Sequence, residues 1–471
     1  MNIRALEKKY PKGDTQVFNG LPLLNANVAG IDIGSQTHYV AVPEGRSNPS
    51  VKTFGCYTAD IQEMAKWLKE CGVTSIAMES TGVYWVTSYS ILEAAGFEVK
   101  LVDSHHTKNV PGHKTDVMDA IWIQKLHSYG LLRGCFIPPA EVKGIRIYWR
   151  RRDHIVKDKS VQILRIQKAL EMMNIHLHKA ISDITGMSGL RIIRKMVSGE
   201  RNPAVLALLA DKGIKASQET LIKALEGNYS DELMFDLTQA LEHYDFLDRQ
   251  LVACDLEMQK SLTAISDRPT EATDLPSSES TGKLSRGQSK PYRRKNEPYF
   301  NMVNELKRIT GVDLTKIPGI SSITAMTIYS ELGSDLSCFP TEKQFCAWAA
   351  LSPNNRITGG KVRSKRTRPR KNRLATALCV AAQSLHRSNC ATGAFLRRMK
   401  GRLGAPKAIT ATAHRLARQV YFMLTRGEAF VDEGAANYEK KFQERQLSAL
   451  KKRAIQLGFT LTDTCTGEVC T

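Results

Sequence analysis

The stretch 28–42, VAGIDIGSQTHYVAV, constrains this chain more than any other, because it is an apolar run that carries a carboxylate, Asp32. An acidic side chain among strand residues has to be satisfied by hydrogen bonds or used to hold a cation, since a bare buried charge is strongly unfavourable. Gly30 and Gly34 stand on either side of it. Glycine admits the close approach of a ligand or of another backbone segment. Taken alone, Asp32 fits a strand-end turn as well as it fits a site.

The elements that follow alternate. Residues 51–57 have strand character, and 60–71, DIQEMAKWLKEC, set Ile61, Met64, Ala65 and Leu68 at helical spacing ahead of Gly72. TSIAMES, 74–80, is a short apolar strand that closes on Glu79; TGVYWVTSYSILEAAG reads as a helix stopped by Gly96, and FEVKLVD as a further strand. This order predicts an α/β domain with parallel pairing in part of its sheet.

The next segment, HHTKNVPGHKTDVMDAIWIQKLHSYG, opens as a loop with Pro111 and Gly112 and becomes a helix carrying Asp116 and Asp119. Residues three apart share a helical face, and like charges that close repel unless a cation neutralises them. In open α/β sheets ligands collect at the carboxyl ends of strands, where Asp32, Glu79 and the start of this helix converge. Four carboxylates there make a hard-cation site suited to one or two Mg²⁺. Such a site stabilises the attacking and leaving oxygens of phosphoryl transfer in a nucleic-acid backbone. Each acid singly also fits a cap, a turn or a solvated position; Asp116 lies in a first helical turn, which favours acids anyway.

Charge agrees with a nucleic-acid partner: 67 Lys and Arg stand against 47 Asp and Glu, a formal net charge of +20. No stretch approaches the roughly 18 uncharged apolar residues of a spanning helix, and MNIRALEKKYPKGD has no apolar signal core. The expected location is the cytoplasm, with no membrane partner. The ten cysteines form no CxxC pair, and Cys465 and Cys470 lie in a polar tail; scattered cysteines in such a chain behave as small hydrophobes.

Between 132 and 267 strand signals fade into long, charged helical periodicity, a spacer or coiled coil. Arg150, Arg151 and Arg152, with Lys157, Lys159 and Arg165, would also suit a phosphate backbone. Residues 268–298, rich in Pro, Ser, Gly and charge, read as a flexible linker. Beyond it LTKIPGISSITAMTIYSELG sets two helical halves around Pro318, Gly319 and Ile320. That is a helix-hairpin-helix-like pattern whose turn, at Gly319, offers backbone N–H groups to phosphates; a plain αα-hairpin is the alternative. FCAWAALSPNNRITGGKVRSKRTRPRKNRLATALCVAAQSL then joins an apolar helix, a polar Gly-Gly loop, a basic stretch and another apolar helix. Residues 361–373 hold eight basic side chains and no acid: Lys361, Arg363, Lys365, Arg366, Arg368, Arg370, Lys371 and Arg373. A run of one sign between two core helices predicts phosphate contact.

GIDIGSQTHYVAV, MESTGVYW and KTDVMDA, in that order, resemble the DEDD transposases of bacterial insertion sequences, the one-hundred-and-ten family. The resemblance implies a RuvC-like N-terminal domain of RNase H fold, with Asp32, Glu79, Asp116 and Asp119 on the four catalytic, Mg²⁺-holding acids of the family. The later block, continuing through LGAPKAITATAHRLARQVYFMLTRGE, is similar to the C-terminal transposase domain of the eleven-eleven subgroup. There a Ser immediately before Gly-Gly attacks the scissile phosphate; here Thr358 holds that position. Its methyl crowds an in-line displacement and its β-branching restricts its rotamers, so Ser364 is the fallback nucleophile.

The implied organisation is an N-terminal tail (1–27), the RuvC-like domain (28–135), a helical connector (136–267), the linker (268–298), an all-α C-terminal transposase domain (299–440), and a C-terminal helix and tail (441–471). The implied activity is a recombinase that cuts and rejoins DNA at element ends and target, as a dimer or tetramer, guided by an element-encoded bridge RNA. Two alternatives keep the acids or the fold without that chemistry: a metal-dependent Holliday-junction-type endonuclease with no covalent intermediate, and a non-catalytic nucleic-acid-binding protein. IDIGS also resembles the phosphate loop of actin-like and sugar-kinase ATPases, but no second Asp-x-Gly segment or Gly-rich adenosine motif follows.

Overall fold

The apolar run 28–42 folds as two strands, β1 (Val28–Ile33) and β2 (Thr37–Ala41), joined by a tight turn in which the Gly34 N–H donates to the Thr37 carbonyl at 3.0 Å. In this computed structural model the described residues are 22–80, 82–103, 115–268, 296–364, 366–368, 372–427 and 432–462. The chain separates into two compact units, Met1–Ile137 and Pro138–Thr471.

In the first unit β3 (Val51–Gly55) pairs antiparallel with β2, while β4 (Ser75–Glu79) and β5 (Glu98–Val102) extend the sheet in parallel from β1. The order is β3-β2-β1-β4-β5. Helices α1 (Thr58–Glu70) and α2 (Trp85–Ala94) cover one face, and α3 (Asp116–Ser128) covers the other. Strand alternation sorts the side chains. Ala29, Ile31 and Ile33 of β1 and Ile76 and Met78 of β4 join Ile61, Met64, Leu68 and Leu92 in one core. The intervening residues, Gly30 and Asp32 on β1 and Ser75, Ala77 and Glu79 on β4, turn toward α3. This mixed α/β sheet, followed by a helical remainder, is compatible with a RuvC-like domain.

The second unit is built on two 33-residue helices, α4 (Ala140–Met172) and α9 (Asp231–Thr263), packed along each other. Between them in sequence lie α5 (Leu177–Ala180), α6 (Met187–Val197), α7 (Pro203–Ala207) and α8 (Gln218–Leu225). Ile166, Leu170, Ile193, Met196, Leu206, Leu225, Leu237 and Leu241 form the core they share. Midway along the pair Arg152 and Asp255 meet at 2.6 Å, 3% and 1% exposed. Part of the basic run of α4 is therefore taken up by acids of the same unit, while Arg151 and Arg165 stay exposed. Arg150 pairs with Glu331 at 2.9 Å, Lys157 with Asp153 at 2.7 Å, and Lys159 with Asp248. The acids that take these charges lie on three different helices, far apart in sequence from most of their partners.

The chain continues through α10 (Met302–Thr310), α11 (Ser322–Leu332) and α12 (Glu342–Trp348) to two strands, β6 (Arg356–Thr358) and β7 (Lys361–Ser364). It ends in α13 (Arg373–Ser384), α14 (Ala391–Leu403), α15 (Ala405–Arg426) and α16 (Gly434–Gln456). Two expectations change here. The C-terminal part is not all-α, because β-branched Ile357, Thr358 and Val362 flank two glycines that accept positive φ, and that composition makes a hairpin. The first half of the helix-hairpin-helix-like segment is only a 3-10 turn, Leu314–Lys316. Pro318 disfavours helical backbone at the preceding residue, and Ile317 is extended, ψ 121°. Gly319, φ +87°, lets this turn lie on α13: a Cβ there would stand 2.8 Å from the Ala381 carbonyl oxygen. Its visible role is packing.

The N-terminal tail to residue 21, the linker from 269 to 295, and Cys465 and Cys470 lie outside the described residues. No helix among the described residues is long and apolar enough to cross a membrane.

Candidate active site

The position of the four acids follows from one glycine. A Cβ on Gly30 would lie 2.2 Å from the Gln124 nitrogen and 2.5 Å from the Ala120 oxygen, so α3 rests on β1 backbone to backbone. Gly30 pairs with Ala77 of β4, another small residue. Two residues further toward the carboxyl ends of these parallel strands come Asp32 and Glu79. Just before Ala120 on α3 comes Asp119, and one turn before it Asp116. The helix begins there because Thr115, in extended conformation, caps it by accepting from the Met118 N–H at 3.3 Å.

The electrostatics record this convergence. The Asp32 carboxyl is pushed up to about 6, first by burial and then by the negative charges of Asp116, Glu79 and Asp119, against the lowering effect of the Ile33 N–H. Glu79 is buried, Asp32 and Asp119 are half-buried, and Asp116 is exposed. As the side chains stand, no three acid, His or Cys groups among the described residues come close enough together to hold an ion. In kind, the donors fit a hard divalent cation: they are all carboxylate oxygens, and their repulsion is what such an ion relieves.

Two histidines that the sequence analysis does not single out fix this arrangement. His127, in the last turn of α3, is buried with its Nε2 2.9 Å from Ser75 Oγ, pinning the far end of the helix to β4. Burial and the Lys100 charge drive it down to about 4, with Glu98 opposing, so it is neutral at pH 7. On the opposite face His38 Nε2 lies 3.2 Å from Ser88 Oγ of α2. Each His falls at an inward strand or helix position, which was the available signal.

In the second unit Thr358 closes β6 at a two-residue turn. Gly359 and Gly360 both have positive φ, +54° and +73°, and Thr358 pairs with Lys361 across the ribbon. The ribbon is extended at its base by the Pro353–Thr367 bridge and by the Asn354 N–H, which donates to the Arg366 carbonyl at 3.0 Å. Thr358, Lys361 and Arg363 are exposed, as are Arg366 and Arg368 beyond them; Ser364 is half-buried, and its Oγ accepts from the Arg366 N–H at 3.3 Å. Arg373 instead pairs with Asp153 of α4 at 3.3 Å. Lys365, Arg370 and Lys371 lie outside the described residues. The pattern Ile-Thr-Gly-Gly-Lys-Val carried the hairpin signal that reading it as a loop misses.

A transposase family model of the DEDD type matches residues 29–175, and a second, for the transposase IS116/IS110/IS902 family, matches residues 313–397. The chain belongs to the IS110-family DEDD transposases. No curated protein matches it. The first match spans Asp32, Glu79, Asp116 and Asp119, and the second spans Thr358 and the whole basic run. The enzyme is thus a DNA-acting transposase of insertion sequences.

Proposed function

We propose that the transposase cuts and rejoins DNA strands by phosphoryl transfer, with Asp32, Glu79, Asp116 and Asp119 as the metal-holding acids and the Thr358 hydroxyl as the nucleophile. The observation that carries this reading is the field of three other acids on the half-buried Asp32. Four carboxylates held on three separate elements are destabilising without a cation, and one or two Mg²⁺ would occupy them. When bound, the metal supplies charge neutralisation at the phosphate.

In this reading Thr358 Oγ1 attacks the scissile phosphorus, its proton passes to solvent, and the strand end leaves as a hydroxyl, so that a phosphothreonine link conserves the phosphodiester energy. Attack by an incoming strand hydroxyl reverses the step and releases Thr358. Lys361, its cross-strand partner, and Arg363 stabilise the charge that develops on the phosphate oxygens. Exposure of Thr358 at a hairpin tip favours it over the half-buried Ser364. Target choice by an element-encoded bridge RNA, assembly as a dimer or tetramer, and action in the bacterial cytoplasm complete the reading; family likeness supports them, together with the +20 charge for the RNA.

Covalent trapping tests the proposal. The protein, Mg²⁺, its element RNA and labelled junction DNA are mixed, denatured and examined for protein that carries DNA. The wild type and Thr358→Ser give the adduct; Thr358→Ala and Asp32→Asn do not, while Ser364→Ala does. Cleaved DNA with no attached protein, unaffected by Thr358→Ala, would instead establish a hydrolytic junction endonuclease working through the acids alone.

A further inference from the structure

The hairpin has a second face that the nucleophile does not use. Side chains alternate along a strand and cross-strand partners share a face. Thr358 and Lys361 therefore project to one side of the ribbon, while Ile357 and its partner Val362 project to the other. Ile357 is 61% exposed and Val362 45%. The register shifts between Arg356 and Ile357, so that Arg363 is the unmatched residue beside this pair. A β-bulge of this kind bends the ribbon and increases its twist. Two β-branched aliphatic side chains thus stand open to solvent next to the turn, in a segment otherwise made of polar and basic residues.

Charge complementarity identifies what meets this face. Residues 361–373 hold eight basic groups and no acid, and Lys361, Arg363, Arg366 and Arg368 are exposed along or just past the ribbon. These groups draw a nucleic-acid backbone along the hairpin. An apolar pair gains nothing from phosphates or from water. Once phosphates flank the ribbon, the apolar surface within reach is that of the bases, and β-branched and aliphatic wedges are known to enter base steps and part them.

We propose that Ile357 and Val362 form a wedge that enters duplex DNA beside the phosphate presented to Thr358 and unstacks the adjoining base step. The proposal rests on the assignment of Thr358 to that phosphate. Opening the step frees the backbone on either side of the phosphate to rotate, which eases the in-line approach that the threonine methyl hinders. Ile357 and Val362 are positioning residues: they act on the geometry of the DNA and touch no reacting atom.

The experiment uses the full-length protein with its element RNA and junction DNA carrying 2-aminopurine at the bases next to the scissile phosphate. The wild type raises the fluorescence of these bases. The double variant Ile357→Thr/Val362→Thr, which keeps β-branching and so keeps the hairpin, leaves fluorescence at the duplex level and lowers covalent adduct on paired DNA about tenfold. A substrate mispaired at that step restores the adduct of the variant to near the wild-type level. Thr358→Ala still raises the fluorescence but gives no adduct.

Equal fluorescence for wild type and double variant overturns the wedge, and so does an adduct defect that the mispaired substrate does not rescue, since that pattern belongs to a purely structural pair. If fluorescence depends on Ile357 and Val362 but no protein–DNA adduct forms even with the wild type, the wedge stands and the nucleophile assignment falls. The two failures are therefore distinguishable.

Discussion

The acids of the first unit and the hydroxyl of the second are held in opposite ways. Asp32, Glu79, Asp116 and Asp119 are fixed by a sheet and a helix in backbone contact, through Gly30 at one end and through the Ser75–His127 pair at the other. Thr358 sits on an exposed two-stranded tip whose glycines meet nothing within 4 Å. The difference suits the chemistry proposed for each. Mutually repelling charges keep their positions only on rigid elements, whereas a group that, as proposed, becomes covalently attached to DNA has to be reachable from outside.

The largest test of this contrast is catalytic. Asp32→Asn should reduce Mg²⁺-dependent strand cleavage by roughly a thousandfold or more while DNA binding stays within about twofold, measured by gel cleavage and by filter binding. Unchanged cleavage would remove Asp32 from the site. Next comes the scaffold of the second unit. Arg152→Ala leaves Asp255 buried without its partner and should destabilise that unit by about 3–5 kcal/mol in urea unfolding; Arg150→Ala, at a partly exposed pair, should cost about 1 kcal/mol.

The glycines sharpen the comparison directly. Gly30→Ala forces α3 away from β1 and should lower stability by about 3 kcal/mol or more, with faster amide exchange in residues 116–128. Gly360→Ala has room for its Cβ and suffers only from a φ of +73°, about 1–2 kcal/mol, confined to the hairpin. If the two substitutions proved equally damaging, the rigid-versus-open distinction would be wrong.

The smallest expected effect is in pH. Asp32 has a folded-state value of about 6, above its ordinary 3.8, so its contribution favours folding at low pH and is lost as pH rises through 6. Without divalent cation, Asp32→Asn should therefore be more stable than wild type at pH 7, by about 1 kcal/mol after allowance for solvent screening, and the gain should vanish below about pH 4. Saturating Mg²⁺ should erase it at pH 7. His127 works in the opposite sense: its folded value of about 4 lies below the ordinary 6.5, so its contribution is complete above 6.5 and lost as pH falls toward 4. His127→Gln should flatten that acid-side decline, and thermal melts of the two variants from pH 4 to 7.5 separate the terms.

Much of the first unit was legible in the sequence. Apolar runs closing on Asp32 and Glu79, and two acids three apart at a helix start, are local signals, and the sheet turned them to one end. That 28–42 is a hairpin of two strands is less visible, because a polar turn such as GSQT, 34–37, needs a register that only pairing shows. In the second unit the helices are plain in the sequence, whereas the ribbon at 356–364 looks like a polar Gly-Gly loop. The basic residues of α4 show why more was not legible: Arg150, Arg152 and Lys159 look free in sequence because Glu331, Asp255 and Asp248 lie 89 to 181 positions away.

By itself the sequence determined the chemistry available to this transposase: four carboxylates ending regular elements, a hydroxyl before two glycines, and an acid-free basic run. These are fixed by residue type and short spacing, which no folding partner alters. Tertiary structure decided which charges remain available and which are consumed. The field at Asp32 exists only because Gly30 lets α3 settle on the sheet, and the arginines of α4 lose their freedom only when distant acids fold against them. Coulomb interactions and desolvation depend on distance in space, and spacing along the chain does not supply it.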